Sequence, residues 1–225
     1  MAYRIPLWRV AFWGAWVLAG MVGYVLWYLV SAFGWFGPMN AADAIWIAVV
    51  VASAMIAFPQ YVVLRLLIGK SSLAGALWIP VSIVARLAAY LAIYLSAEGI
   101  TNALLSVGAI QALTSDPALF ITVITAVQNI TLAAVLGLAQ GLLLARVFVA
   151  RSAAWLWLVG NLLAAVVIWI VIEVRMNGAA NQTNQTTLDL LLPIAIYGAL
   201  YAAVTGIVLV ALPKRDRKDA APAAN

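Results

Sequence analysis

Six apolar stretches dominate the chain, each longer than a bilayer core is wide, over 7–33, 42–68, 73–96, 119–149, 153–174 and 188–212. A helix rises about 1.5 Å per residue, so roughly 20 residues cross a hydrocarbon core of about 30 Å. Hydrocarbon offers no water to an open N–H or C=O, so each stretch must close its own backbone hydrogen bonds as a helix. Composition agrees. Hydrophobic residues make up 67% of the 225 and charged residues 8%, whereas a soluble domain carries about 25% charged residues. The expected fold is an all-α integral membrane protein, a single six-helix domain over 1–212, with a charged and then Ala/Pro-rich tail over 213–225 read as disordered. The first apolar run exceeds the ~7–15 residues of a signal-peptide core, so it is read as a retained helix despite a loose cleavage pattern at Val30-Ser31-Ala32.

The charges predict an orientation. With the N-terminus inside, Arg4, Arg9, Arg65, Lys70, Arg146, Arg151, Lys214, Arg215, Arg217 and Lys218 are all cytoplasmic, ten of the twelve basic residues. Of the remaining two, Arg175 lies outside and Arg86 within the membrane, while Asp43, Glu98, Asp116, Glu173 and Asp189 fall on the outer side. A cytoplasmic excess of Lys and Arg is what membrane insertion selects. Both termini are therefore expected in the cytoplasm, in the inner membrane of a bacterial cell. The net charge of +5 needs no nucleic acid to explain it. The outer connection over 97–118 suggests a short interfacial helix, through Thr101–Leu105 and Ile110–Leu113. The outer loop over 175–187 carries two sequons, at Asn181 and Asn184, which read most simply as a polar loop.

A repeat underlies the spans. The second, fourth and sixth contain Ala57-x-x-Gln60-x-x-x-Leu64, Gly137-x-x-Gln140-x-x-x-Leu144 and Ala202-x-x-Thr205-x-x-x-Leu209. A basic residue follows each copy, and tryptophan opens the next helix, at Trp78 and at Trp155 and Trp157. Arg9 to Trp13 has the spacing of Arg151 to Trp155. This predicts three tandem helical hairpins. The Gln-x-x-x-Leu-Arg segment followed by a Trp-rich helix resembles a group of uncharacterised bacterial polytopic membrane proteins in which Gly-x-x-Gln-Trp-x-x-Leu-Arg recurs. Tyr61 and Gly141 stand here where Trp is usual, and Ala145 displaces the second Arg to Arg146. The resemblance implies a multi-helix membrane protein and no assigned activity.

Polar groups inside the spans are the candidate sites. Arg86 lies 13 residues into the third span, about 20 Å from its inner end. A central charge costs ~2.5–3.5 kcal/mol on insertion scales, so it needs partners or water. Gln128 and Asn129 match it in depth and are its expected partners on the fourth span. A second layer, Gln60, Gln140, Asn161 and Thr205, reads as interhelical hydrogen bonding. Small-residue stripes at Ala11, Ala15, Ala19 and Gly23, at Gly137 and Gly141, and at Gly198, Ala202 and Gly206 suit close helix packing, internal or against a partner. Trp8, Trp13, Trp35, Trp46, Trp78, Trp155 and Trp169 fall near span ends, as an interfacial belt requires.

Much chemistry is excluded. The chain has no His and no Cys, which removes the commonest general base and the usual zinc, haem and iron–sulfur ligands. Its acids lie at span ends or in the tail, so no pair of intramembrane carboxylates exists. No enzyme activity, metal or cofactor is expected. Bound lipid or pigment is left open, because Gln, Asn or water can ligate magnesium. The sequence ranks a structural or accessory subunit first, packing on lipids, other membrane proteins or its own copies. A small-solute, anion or lipid transporter or channel built around Arg86 ranks second.

Overall fold

The computed structural model describes the backbone of residues 6–32, 41–68, 73–106, 117–148, 151–179 and 187–212, and most of the side chains within those helices. The described chain is all helical: α1 (Leu7–Ala32), α2 (Ala41–Ile68), α3 (Leu73–Ser106), α4 (Pro117–Phe148), α5 (Arg151–Ala179) and α6 (Thr187–Ala211). All six are long and apolar enough to cross a membrane. Apolar side chains dominate the outer faces as well as the interior, as lipid-facing helices require. Pro59, Pro80 and Pro193 lie inside α2, α3 and α6, which remain continuous through them.

The helices form a ring in chain order. Each packs on its sequence neighbours, and α6 returns to α1. The closest packing is between α4 and α5 and between α1 and α6. Small residues make both approaches possible. A Cβ at Gly198 would stand 2.6 Å from the Gly20 carbonyl oxygen of α1, and one at Gly141 2.7 Å from the Ala154 carbonyl oxygen of α5. Lipid supplies no hydrophobic drive between helices, so close backbone approach and dispersion hold such pairs. The stripes at Gly137 and Gly141 and at Gly198, Ala202 and Gly206 thus face neighbouring helices of the same chain. On α1, Ala19 and Gly23 are buried, Ala15 is partly so and Ala11 is exposed.

Two features differ from expectation. No break separates Thr101–Leu105 from the third span, because α3 runs on to Ser106. A lone glycine, Gly99, weakens a helix by about 1 kcal/mol without ending it. Ile110–Leu113, both sequons and the tail lie outside the described residues. The second difference is Trp78, which leaves the expected interfacial belt for the core, fully buried with Trp16 and Trp157. Trp8, Trp13, Trp46 and Trp155 are exposed, as a belt requires.

Candidate functional site

The end of the ring that carries the N-termini of α1, α3 and α5 is closed by side chains. Trp16, Trp78 and Trp157 come one from each of those helices and meet at the centre. Their ring centroids are 6.0, 6.0 and 5.8 Å apart, each pair edge-to-face. Such pairs add roughly 0.5–1.5 kcal/mol each beyond the area they bury. Leu64, Leu144 and Leu209, one from each even helix, are buried in the same cluster.

A belt of hydrogen bonds borders this plug. The Trp157 indole N–H donates to Gln140 Oε1 at 3.1 Å, and Gln140 Nε2 donates to Ser82 Oγ at 2.8 Å. Asn161 Nδ2 donates to the Trp157 carbonyl, and the Tyr201 hydroxyl donates to Asn161 Oδ1. The Trp16 indole N–H donates to Thr205 Oγ1 at 3.2 Å. The belt stitches α3, α4, α5, α6 and α1 together. Gln60 is buried at the same level of α2, but the Trp78 indole N–H, which matches those of Trp16 and Trp157, is buried without a partner. Gln140, Asn161 and Thr205 are thus joined to this belt, and Gln60 lies beside it.

Arg86 stands eight residues beyond Trp78 on α3, about 12 Å further along the axis. Two small chambers meet at its side chain. One, of about 10 Å³, runs back towards the plug between Ser53, Gln60, Ser82 and Gln140; the other, of about 30 Å³, lies beside Asn129, Tyr197 and Tyr201. A water needs roughly 10–15 Å³ of such space, so each chamber has room for one or two waters. Beyond Arg86 the interior widens to a cavity of about 500 Å³, walled by Tyr24 and Trp27 of α1, Ala48, Val49, Ala52 and Ile56 of α2, Tyr90 of α3, Asn129 and Leu132 of α4, and Ile194 and Tyr197 of α6.

The guanidinium lies within electrostatic reach of Tyr24, Tyr197 and Tyr201. Its Nε is buried and has no hydrogen-bond partner. No carboxylate lies among the described side chains. A neighbouring phenol does not neutralise a guanidinium, so among the described side chains the charge has no counter-ion.

Of the two amides expected to cap Arg86, Asn129 shares its cavity and Gln128 is exposed elsewhere. Neighbouring positions on a helix lie about 100° apart, so one of the pair faces the ring interior and its neighbour turns away. Tyr24 of α1 is a further neighbour of Arg86. The tyrosines were not singled out from the sequence, yet a signal was present. Arg86 is eight residues after Trp78 and Tyr24 eight after Trp16, while Tyr201 and Tyr197 precede Leu209 by eight and twelve. Extending the repeat register two turns places Arg86, Tyr24 and Tyr201 at this level, with Tyr197 about one turn beyond.

Comparison with protein-family models, curated proteins and solved structures finds no match to the chain. Its function must be read from the chemistry of this cavity.

Proposed function

We propose that this chain is a non-catalytic membrane protein that binds a small anionic solute at Arg86 and carries it across the bilayer. The observation behind this reading is the cationic cavity at mid-helix depth. A half-buried guanidinium that faces open space and phenols is poorly placed as structural glue, and transporter sites commonly lie near the bilayer midplane. The three tandem hairpins and the position of the tail belong to the same proposal. Arg9, Arg65, Arg146 and Arg151 lie on the plugged end of the ring, so the positive-inside rule makes that end cytoplasmic and both termini cytoplasmic. The cavity then lies on the outer side of the plug.

The accessory-subunit expectation loses part of its ground. Its small-residue stripes on α4 and α6 are occupied by neighbouring helices of the same chain, and only the missing catalytic groups still favour it. The host membrane is proposed to be the bacterial inner membrane, with lipids as the surrounding partners.

Two experiments test the reading. Purified protein in vesicles should take up at least one of chloride, nitrate, phosphate, acetate and benzoate, and Arg86→Gln should abolish that uptake. Uptake of none, or uptake indifferent to Arg86→Gln, would overturn it. For orientation, a cysteine at Ser152 should react only with cytoplasmic reagents and one at Thr183 only with external ones; the reverse pattern would invert the bundle.

A further inference from the structure

The proposed solute can be narrowed by charge, shape and space, and this step rests on the carrier reading above. Charge comes first. Among the described residues Arg86 is the only cation in the cavity wall. A monoanion is neutralised by one guanidinium. A dianion would leave a full negative charge in a low-dielectric site, at a cost of several kcal/mol or more on ordinary estimates of ion burial.

Shape comes second. The buried Arg86 Nε has no hydrogen-bond partner, and a planar guanidinium presents its donors in a fork that matches the two oxygens of a carboxylate. Asn129 and the hydroxyls of Tyr24 and Tyr197 stand in the same cavity to complete the headgroup's hydrogen bonds.

Space decides the remainder of the molecule. The chambers beneath Arg86, about 10 and 30 Å³, stop anything larger than water, so a ligand rests with its headgroup on Arg86 and its body in the 500 Å³ beyond. A bare inorganic ion would leave that volume unfilled. The walls of the larger space are apolar and aromatic. Tyr24 lies edge-to-face with Trp27 at 6.4 Å between centroids and meets Tyr197 at 5.2 Å, while Tyr90 stands across the cavity from α3. Aromatic rings offer a flat apolar body both area to bury and faces to stack against.

We infer that the cavity binds a small monocarboxylate with a flat apolar body, its carboxylate on Arg86 and its body among Tyr24, Trp27, Tyr90 and Tyr197. Benzoate is a suitable probe and benzamide its neutral match in shape.

The full-length protein in detergent can be titrated with each compound by calorimetry. Benzoate should bind at least about tenfold more tightly than benzamide, the lower end of what a charge-assisted hydrogen bond contributes. It should also outbind acetate, which lacks the body, and terephthalate, which adds a second charge. These comparisons use the unaltered chain and need no variant to fold. Arg86→Gln should then bring benzoate down to the affinity of benzamide. Equal binding of benzoate and benzamide, or of benzoate and acetate, would overturn the inference, as would no benzoate binding. If benzoate fails while chloride or nitrate uptake into vesicles still depends on Arg86, the ligand class falls and the carrier reading stands. If benzoate binds as expected but no anion moves, the ligand class stands and carriage falls.

Discussion

The two ends of the ring use aromatic residues in opposite ways. At the plugged end, Trp16, Trp78 and Trp157 pack against one another at the centre, and their cluster includes Leu64, Leu144 and Leu209. At the other end Tyr24, Trp27, Tyr90 and Tyr197 line a wall and leave about 500 Å³ between them. The same repeat register supplies both levels. What differs is whether the ring is allowed to close. Three large side chains from alternate helices fill the centre. Two turns further along, the equivalent positions on the odd helices are Tyr24, Arg86 and Ala165, and only Arg86 carries a charge. The contrast separates a region that holds the helices together from a region that contributes less to stability and has room for a ligand. Proteins commonly trade stability for function in this way.

The largest effect should come from emptying the plug. Trp157→Ala removes a buried ring from the centre and should cost roughly 3–5 kcal/mol, the range for aromatic truncation in packed cores. Tyr90→Ala, at the exposed cavity wall, should cost under about 1 kcal/mol. Unfolding of the purified protein in mixed detergent would compare them, and equal losses would erase the distinction between the two ends.

Next in size is the α1–α6 approach. Gly198→Ala places a methyl against the Gly20 carbonyl and the Tyr24 ring, and should cost about 1–3 kcal/mol by overpacking. The same measurement reads it. Tyr24 also lines the cavity with Arg86, so this variant should weaken anion binding as well, linking the two ends through one helix pair.

Arg86→Leu sharpens the comparison from the other side. A central charge costs ~2.5–3.5 kcal/mol to insert, so this variant should fold at least as stably as the parent while losing anion binding. Arg86→Glu should be the less stable of the two, since it sets a carboxylate among phenols with no other cation among the described residues of the wall. A marked loss of stability in Arg86→Leu would make Arg86 a structural residue and move it to the category of the plug.

The smallest effect lies within the plug. Phe in place of Trp16 or Trp157 deletes an indole hydrogen bond, to Thr205 or Gln140, worth about 0.6 kcal/mol on average in membrane bundles. Trp78→Phe deletes none, because that N–H has no partner. Trp78→Phe should therefore be the mildest of the three by about that amount, a difference visible only when the three are measured side by side.

The sequence by itself determined the six helices and the class of solvent around them. Length and hydropathy decide a membrane span because lipid leaves the backbone no alternative to internal hydrogen bonds. It also identified Arg86 and the layer of Gln60, Gln140, Asn161 and Thr205, since a polar group in an apolar run is visible wherever the chain goes. Three things depended on tertiary structure. The first was the set of neighbours: Arg86 shares its cavity with Tyr24, 62 positions away in the chain, and with Asn129, while Gln128 is exposed. The second was the fate of Trp78, which depth alone assigned to the membrane interface and packing drew into the core. The third was the cavity itself. Hydropathy has no directional content, so it records that a residue is apolar or charged but not which way its helix turns it. The interior space follows from helix rotation and ring closure, which arise from contacts between distant positions such as Gly20 with Gly198 and Trp16 with Trp157.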